Sequence, residues 1–380
     1  MGCSQTPPVK KITGNNFLKY HPSNTTGMYK ENNITVINTA LCSFGMSGLV
    51  FHAPFIDAHP GFNLYGVWER SAKTAKEKYP SIRSFDTLDA MLADDAIDLV
   101  IVNTPNYTHY DFAKKALLAG KHVLVEKSFT VTVSEAAELI TLANQQGKKL
   151  SVFQNRRYDS DFKTVKKVLE GGRLGNIVEA EFHFDRFKQT LSPKTHKETA
   201  TPGAGLLHDL GPHLIDQAIC LFGMPGSLFA HLKITRPLSQ VNDYLDILLF
   251  YPLLTVRLKA GYIVKEAQPS YILHGTMGSF LKPRTDIQED ALKAGARPIT
   301  ADWGTEPAGE QGLLNILSDG NTLRQYIVSE KGNYMEFYEG LYQAILHNAT
   351  PPVTGKDGLN VMKIIEAVLA SDKAKTVVNI

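Results

Sequence analysis

From residue 34 to about 153, short and nearly continuous apolar runs alternate with longer stretches in which apolar residues recur at helical spacing. Strands covered on both faces read as unbroken Val/Ile/Leu segments, so this alternation predicts a parallel sheet with helices on either side. The predicted strands are 35–41, 63–68, 99–103, 122–126 and 150–153. Between the third and fourth, Phe112, Ala116 and Ala119 lie on a helical repeat spanning 110–119, and Gly120 is placed to end it in a left-handed cap. Ser134 and Gly147 bracket the next helix. The succession is that of a doubly wound dinucleotide-type fold, in which ligands bind at the carboxyl ends of the strands.

Beyond residue 155 the rhythm changes. A helical stretch at 162–170 is followed by β-rich runs at 177–187, 229–235, 244–251, 254–262 and 270–274, now successive rather than separated by helices. That pattern predicts an α+β second domain on a mostly antiparallel open sheet, with one face buried against helices. Helical tail segments at 333–348 and 358–371 pack on one of the two domains. The predicted organisation is a polar leader at 1–33, an NAD(P)-type Rossmann domain at 34–153 and a substrate-binding and oligomerisation domain at 154–380.

Composition narrows the function classes. In 380 residues, 43% are apolar and 21% charged, with a net charge of +2, which supports a large core and gives no electrostatic case for nucleic acid. Cys3, Cys42 and Cys220 lack metal or disulfide spacing, so no metal is expected and a reducing, cytoplasmic setting fits. No run is long and apolar enough to span a membrane. The start Met1-Gly2-Cys3-Ser4-Gln5-Thr6 meets a loose acylation pattern, with a polar leader as the plain alternative.

The first strand runs into Ser43-Phe44-Gly45-Met46-Ser47-Gly48, a G-x-G-x-x-G loop whose first glycine is Ser43. Gly45 lets the backbone approach a pyrophosphate and Gly48 lets helix and strand pack closely. The hydroxyl of Ser43 is expected to reach ribose or phosphate. Glu69 ends the second strand, where a carboxylate accepts the adenosine ribose hydroxyls and repels a 2′-phosphate. That favours NAD over NADP, while Arg70 offers the NADP phosphate a partner if Glu69 turns away. The third strand leads into Thr104-Pro105-Asn106 and His109, where a nicotinamide ribose would lie.

The fourth strand ends at Glu126-Lys127-Ser128, and Asp209 and His213 stand four apart in a helical run. An i,i+4 pair on one helix face lets the carboxylate orient the imidazole, which suits acid–base work. Capping or packing, or Asp216 and His208 as metal partners, are the alternatives. These motifs, with the run 154–162 and the stretches 209–217 and 288–292, resemble the Gfo/Idh/MocA oxidoreductases, and within them the NADP-dependent scyllo-inositol dehydrogenase branch. The resemblance covers the chain from about Ile34 onward. It implies hydride transfer between NAD or NADP and a CH–OH or carbonyl carbon of a polyol, cyclitol or sugar, in a homodimer or homotetramer.

It also implies a catalytic trio at Lys127, Asp209 and His213. The ordinary histidine pKa, near working pH, makes His213 the expected base, with Asp209 holding its tautomer and Lys127 stabilising the oxyanion, and Lys127 as base is the alternative. Glu126, Asn155 and Arg157 fall to the cofactor, and Arg156, Arg186 and Tyr262 to the substrate. Where the family reads Glu-Lys-Pro this chain has Ser128, which predicts a looser loop behind Lys127. A non-catalytic NAD(P)-binding sensor of the same fold is the rival reading.

Overall fold

A six-stranded parallel sheet organises the first half, in the order β3-β2-β1-β4-β5-β6. The computed structural model describes residues 34–70, 73–193 and 197–380. The leader at 1–33, including the acylation pattern at Gly2 and Cys3, lies outside the described residues. The strands are β1 (Ile37–Leu41), β2 (Phe62–Trp68), β3 (Arg83–Phe85), β4 (Leu99–Val102), β5 (His122–Glu126) and β6 (Leu150–Phe153). β4 and β6 are buried at every position, which is why they do not alternate between apolar and exposed polar residues, Ser151 of β6 being buried too. The three-residue edge strand β3 was too short to predict.

A π-helical turn, Gly48–His52, follows β1 and runs into α1 (Ala53–Ala58). The remaining helices of this half are α2 (Ala75–Lys78), α3 (Leu88–Leu92), α4 (His109–Leu118) and α5 (Val133–Gln145). Gly120 has φ +72°, the left-handed cap its position predicts. The start of α5 differs from the predicted one. Thr132, rather than Ser134, is its N-cap, forming a capping box with Glu135.

In the second half, α6 (Ser160–Glu170), α7 (Leu206–Asp209) and α8 (Gly211–Phe222) cover one face of a nine-stranded sheet. Its order is β14-β13-β12-β11-β7-β10-β9-β8-β15. The strands are β7 (Ile177–Asp185), β8 (Ser227–Lys233), β9 (Tyr244–Phe250), β10 (Thr255–Gly261), β11 (Tyr271–Gly275), β12 (Gly278–Lys282), β13 (Gly312–Ser318), β14 (Asn321–Ile327) and β15 (Val378–Asn379). β7 and β10 pair in parallel and the other neighbours are antiparallel. β12 to β15 and the helix α9 (Gln288–Lys293) extend what the sequence pattern predicts.

The tail consists of α10 (Met335–Leu346) and α11 (Gly355–Ala374). α11 packs on α5 and β6 on one side and on β8 and α8 on the other, so it joins both sheets rather than one. Tyr338 of α10 reaches His52 in the π-helical turn at 2.9 Å, placing the tail directly behind the loop after β1.

Candidate active site

The loop after β1 is held by an exchange across the sheet edge. Ser43 N donates to Asn103 Oδ1 at 3.0 Å, Asn103 Nδ2 donates to Ser43 O at 2.8 Å, and Ser43 Oγ donates to Asn103 O at 2.8 Å. The Ser43 hydroxyl is thereby spent on the neighbouring strand end and is not directed at a ribose or phosphate. Ser43 also has no positive φ, which is why a glycine is not required there. Asn103, which the sequence reading passed over, is the residue that shapes this turn.

The two retained glycines do different things. A Cβ on Gly48 would sit 2.6 Å from Ser43 O and 2.9 Å from Asn103 Nδ2, whereas a Cβ on Gly45 would meet nothing within 4 Å. Gly48→Ala should therefore destabilise the fold by about 1–3 kcal/mol through overpacking. Gly45→Ala should leave the melting temperature unchanged and weaken dinucleotide binding, because the methyl fills the approach to the backbone. Thermal melts and nucleotide titration of both variants check this, and the reverse pattern would contradict it.

Gly45 opens onto a cleft of ≈ 310 Å³ whose walls include Phe44, Trp68, Arg70, Thr104, Pro105 and Phe112. Met46 is exposed, while Phe44 is buried edge-on against Tyr79. Trp68 and Phe112 meet edge to face, an aromatic wall that the sequence reading missed. Glu69 also borders the cleft, but its carboxylate is committed. Oε1 accepts from Thr74 N at 2.9 Å and Thr74 Oγ1 at 3.1 Å, and Oε2 accepts from Ala75 N at 3.2 Å. Arg70 is exposed and has no ion-pair partner among the described residues.

His109 does not face the cleft as expected. It is fully buried, with Nδ1 2.7 Å from Ser128 O and Nε2 2.8 Å from Thr104 O, so it ties the loop after β4 to the loop after β5. Burial pulls its pKa below the ordinary value despite those two carbonyls. Asn106 Nδ2 donates to Gly203 O at 2.9 Å, fastening the same loop to the segment that precedes α7.

At the carboxyl end of β5, Glu126 Oε1 accepts from Ser47 Oγ at 2.6 Å and lies 3.0 Å from His52 Nε2. Burial alone would raise its pKa, but His52, Ser47 and Lys127 outweigh burial and hold it at about 2. Glu126 is thus an anchored carboxylate linking the glycine loop to Lys127. The Lys127–Ser128 peptide is cis. The loop is not loose: Ser128 is fully buried, and its hydroxyl donates to His208 O at 3.3 Å.

Lys127 Nζ donates to Asp209 O at 2.7 Å and to Asp209 Oδ1 at 3.1 Å. Lys197 Nζ lies 3.4 Å from the same Oδ1, and Tyr262 OH donates to Oδ2 at 3.3 Å. Asp209 therefore orients Lys127 and Tyr262, not His213. The predicted helical pair is interrupted: α7 ends at Asp209, Leu210 sits at φ −102°, and Pro212 stands in the first turn of α8. Proline lacks the N–H that a continuous helix would need.

The carboxyl of Asp209 is held far below its usual range, as Lys127, Lys197 and Arg186 overcome burial. Burial, then Lys127 and Arg156, push His213 well below 6.5, leaving a neutral imidazole at working pH. Its Nδ1 is buried without a hydrogen-bond partner among the described residues.

The arginines separate into distinct roles. Arg157 is a bidentate partner of Asp216, at 2.8 and 2.7 Å, so it braces α8 instead of reaching a cofactor. The same pairing removes Asp216 from a metal site with His208, whose Nδ1 faces Ala204 O at 3.2 Å. Arg156 pairs with Glu289 at 2.6 Å and Asp159 at 3.2 Å, a buried ion pair in place of a free substrate contact. Asn155 is buried in the turn after β6. Arg186 has no carboxylate partner among the described residues, and its guanidinium lies 5.1 Å from the Phe184 ring centroid.

Comparison with known proteins follows the same division of the chain. Residues 37–154 match the model of an oxidoreductase family's NAD-binding Rossmann fold, and residues 166–380 match that family's C-terminal alpha/beta domain. The oxidoreductase YdgJ of Escherichia coli strain K12 is 38% identical over 337 residues, covering 89% of this chain and 96% of its own. The scyllo-inositol 2-dehydrogenase (NADP(+)) IolW of Bacillus subtilis strain 168 is 34% identical over 342 residues, covering 90% and 95%. The crystal structure of an oxidoreductase from Bacillus cereus has a TM-score of 0.84 at 32% identity, covering 91% of this chain and 99% of its own. Among the described residues no helix is long and apolar enough to cross a membrane.

Proposed function

The chain belongs to the Gfo/Idh/MocA oxidoreductase family, and on that premise we propose that it transfers a hydride between a nicotinamide cofactor and a hydroxyl or carbonyl carbon of a polyol, cyclitol or sugar. The observation that carries this reading is the cluster at the carboxyl end of β5, where Lys127, Asp209 and Tyr262 are hydrogen-bonded beside a neutral, buried His213. Hydride exchange is the chemistry a nicotinamide supplies when bound.

The protein's own part is the proton and the charge. In the oxidation direction His213 takes the hydroxyl proton, as a neutral imidazole whose Nδ1 has no competing partner among the described residues. Lys127, fixed by Asp209, donates to the oxygen as negative charge grows on it. The Tyr262 hydroxyl holds the other carboxylate oxygen of Asp209. In reduction the same groups act in reverse.

For the cofactor, the geometry favours NADP. Glu69 has its oxygens turned to Thr74 and Ala75, while Arg70 at the cleft has no ion-pair partner among the described residues, and a guanidinium there suits a 2′-phosphate. The NADP(+) in the name of IolW agrees with this reading. Arg70→Ala should raise the KM for NADP about tenfold or more, the size of one charge-assisted contact, and leave that for NAD nearly unchanged. Equal effects on both cofactors would reject the assignment.

The function itself is tested by titrating the protein with NADH and NADPH and then following oxidation of a panel of inositols and aldoses by absorbance. Turnover of a polyol or sugar supports the reading. Tight nucleotide binding without turnover of any panel member would favour a sensor.

A further inference from the structure

We propose that the substrate of this site carries an anionic group, and that Arg186 is the residue that docks it. The inference rests on the dehydrogenase reading and deepens it, by adding a charge to the hydroxylated skeleton.

Three guanidinium groups surround the ring of Phe184: Arg284 at 3.9 Å from the centroid, Arg186 at 5.1 Å and Arg156 at 5.2 Å. Two of them face carboxylates. Arg156 has Glu289 and Asp159, and Arg284 has Asp159 at 3.7 Å. Arg186 has neither an ion pair nor a side-chain hydrogen bond among the described residues. Its position explains this. Arg186 follows β7 and shares the face of Phe184, two residues before it, because side chains alternate along a strand. The acids nearest in sequence, Glu181 and Asp185, lie on the other face, where they flank His183 at 2.9 and 3.6 Å. Arg186 is fixed there by its backbone, which donates to Gly261 O and accepts from Val264 N.

The unpaired charge stands beside the residues of the reacting centre, since Arg186 N donates to Gly261 O immediately before Tyr262. Arg186 acts on Asp209 and on Tyr262, the two groups that meet at 3.3 Å beside Lys127. With Lys127 and Lys197 both on Asp209, and Arg186 acting on it as well, three cations stand about one carboxylate. A neutral polyol leaves that excess in place. During oxidation it would also meet an oxidised nicotinamide, which is itself cationic. A carboxylate or phosphate on the substrate removes both penalties, and the planar fork of a guanidinium matches a carboxylate in two parallel hydrogen bonds.

The test uses full-length protein loaded with NADH or NADPH, whichever binds more tightly, titrated calorimetrically with D-glucose, myo-inositol, D-glucuronate and glucose 6-phosphate. At least one acidic probe should bind about tenfold or more tightly than glucose. Arg186→Gln should abolish that preference and Arg186→Lys restore part of it, with nucleotide affinity and melting temperature unchanged. The two acidic probes distinguish carboxylate from phosphate. Neutral probes binding as tightly as both acids, no acid binding at millimolar concentration, or an Arg186→Gln loss equal for acid and neutral would overturn the proposal. Turnover of neutral sugars without acid preference would sink this inference alone. Acid preference in binding without turnover of any probe would count against the dehydrogenase reading and leave the anion site standing.

Discussion

Replacing His213 by asparagine should lower kcat by about 10²–10⁴-fold, the range for loss of a general base, with a much smaller change in nucleotide affinity. The wild-type enzyme should also show an unusual acid limb. Burial strips solvation from the imidazole, and Lys127, Arg156 and Arg284 repel a proton, while Asp209 alone among the named causes opposes them. A base acts only when deprotonated, so depressing its pKa keeps it active through pH 6.5 and moves the fall in kcat/KM to lower pH. His213→Asn should remove that limb. Near wild-type turnover in the variant, or an acid limb at the ordinary histidine value, would transfer the base role elsewhere.

The fold was legible where burial on both faces left an unambiguous trace. β4 is a continuous apolar run, β5 and β6 are mostly apolar, and a glycine marks the end of α4, so the doubly wound sheet followed from the pattern. The β13–β14 hairpin carried a readable signal that was overlooked. Asp319 and Gly320 both have positive φ, as the two-residue turn between such strands requires.

The site was less legible, because the sequence supplies candidate residues while their partners are set by tertiary contacts. Asp209 and His213 have helical spacing, yet Gly211-Pro212 restarts the helix between them and sends the carboxylate to Lys127, 82 residues away. Glu69 has the spacing of a ribose ligand, but nearby Thr74 and Ala75 capture its oxygens. The exchange between Ser43 and Asn103 spans 60 residues, and no local pattern announces it. Spacing locates chemistry-bearing residues on strand ends. It does not say which of several nearby donors will claim a carboxylate.

Lys127→Met should lower kcat by about 10²–10³-fold, the cost of losing one preorganised donor at a developing oxyanion, and its pH profile should separate electrostatics from packing. The ammonium is held by two bonds to Asp209, so its position exists before substrate arrives and no reorganisation is needed at the moment of transfer. Methionine keeps the length and apolar stem. Lys197 and Tyr262 still contact the carboxylate, so Asp209 is not left alone. Removing this cation takes away the largest electrostatic repulsion on His213 after burial, and leaves the field of Asp209 less opposed. Both changes favour the imidazolium. The acid limb of kcat/KM should therefore move to higher pH in Lys127→Met, opposite to its complete loss in His213→Asn. If kcat fell while the limb stayed where it is in the wild type, Lys127 would be acting through loop structure. A limb shift without loss of kcat would place the ammonium near the imidazole but away from the substrate oxygen.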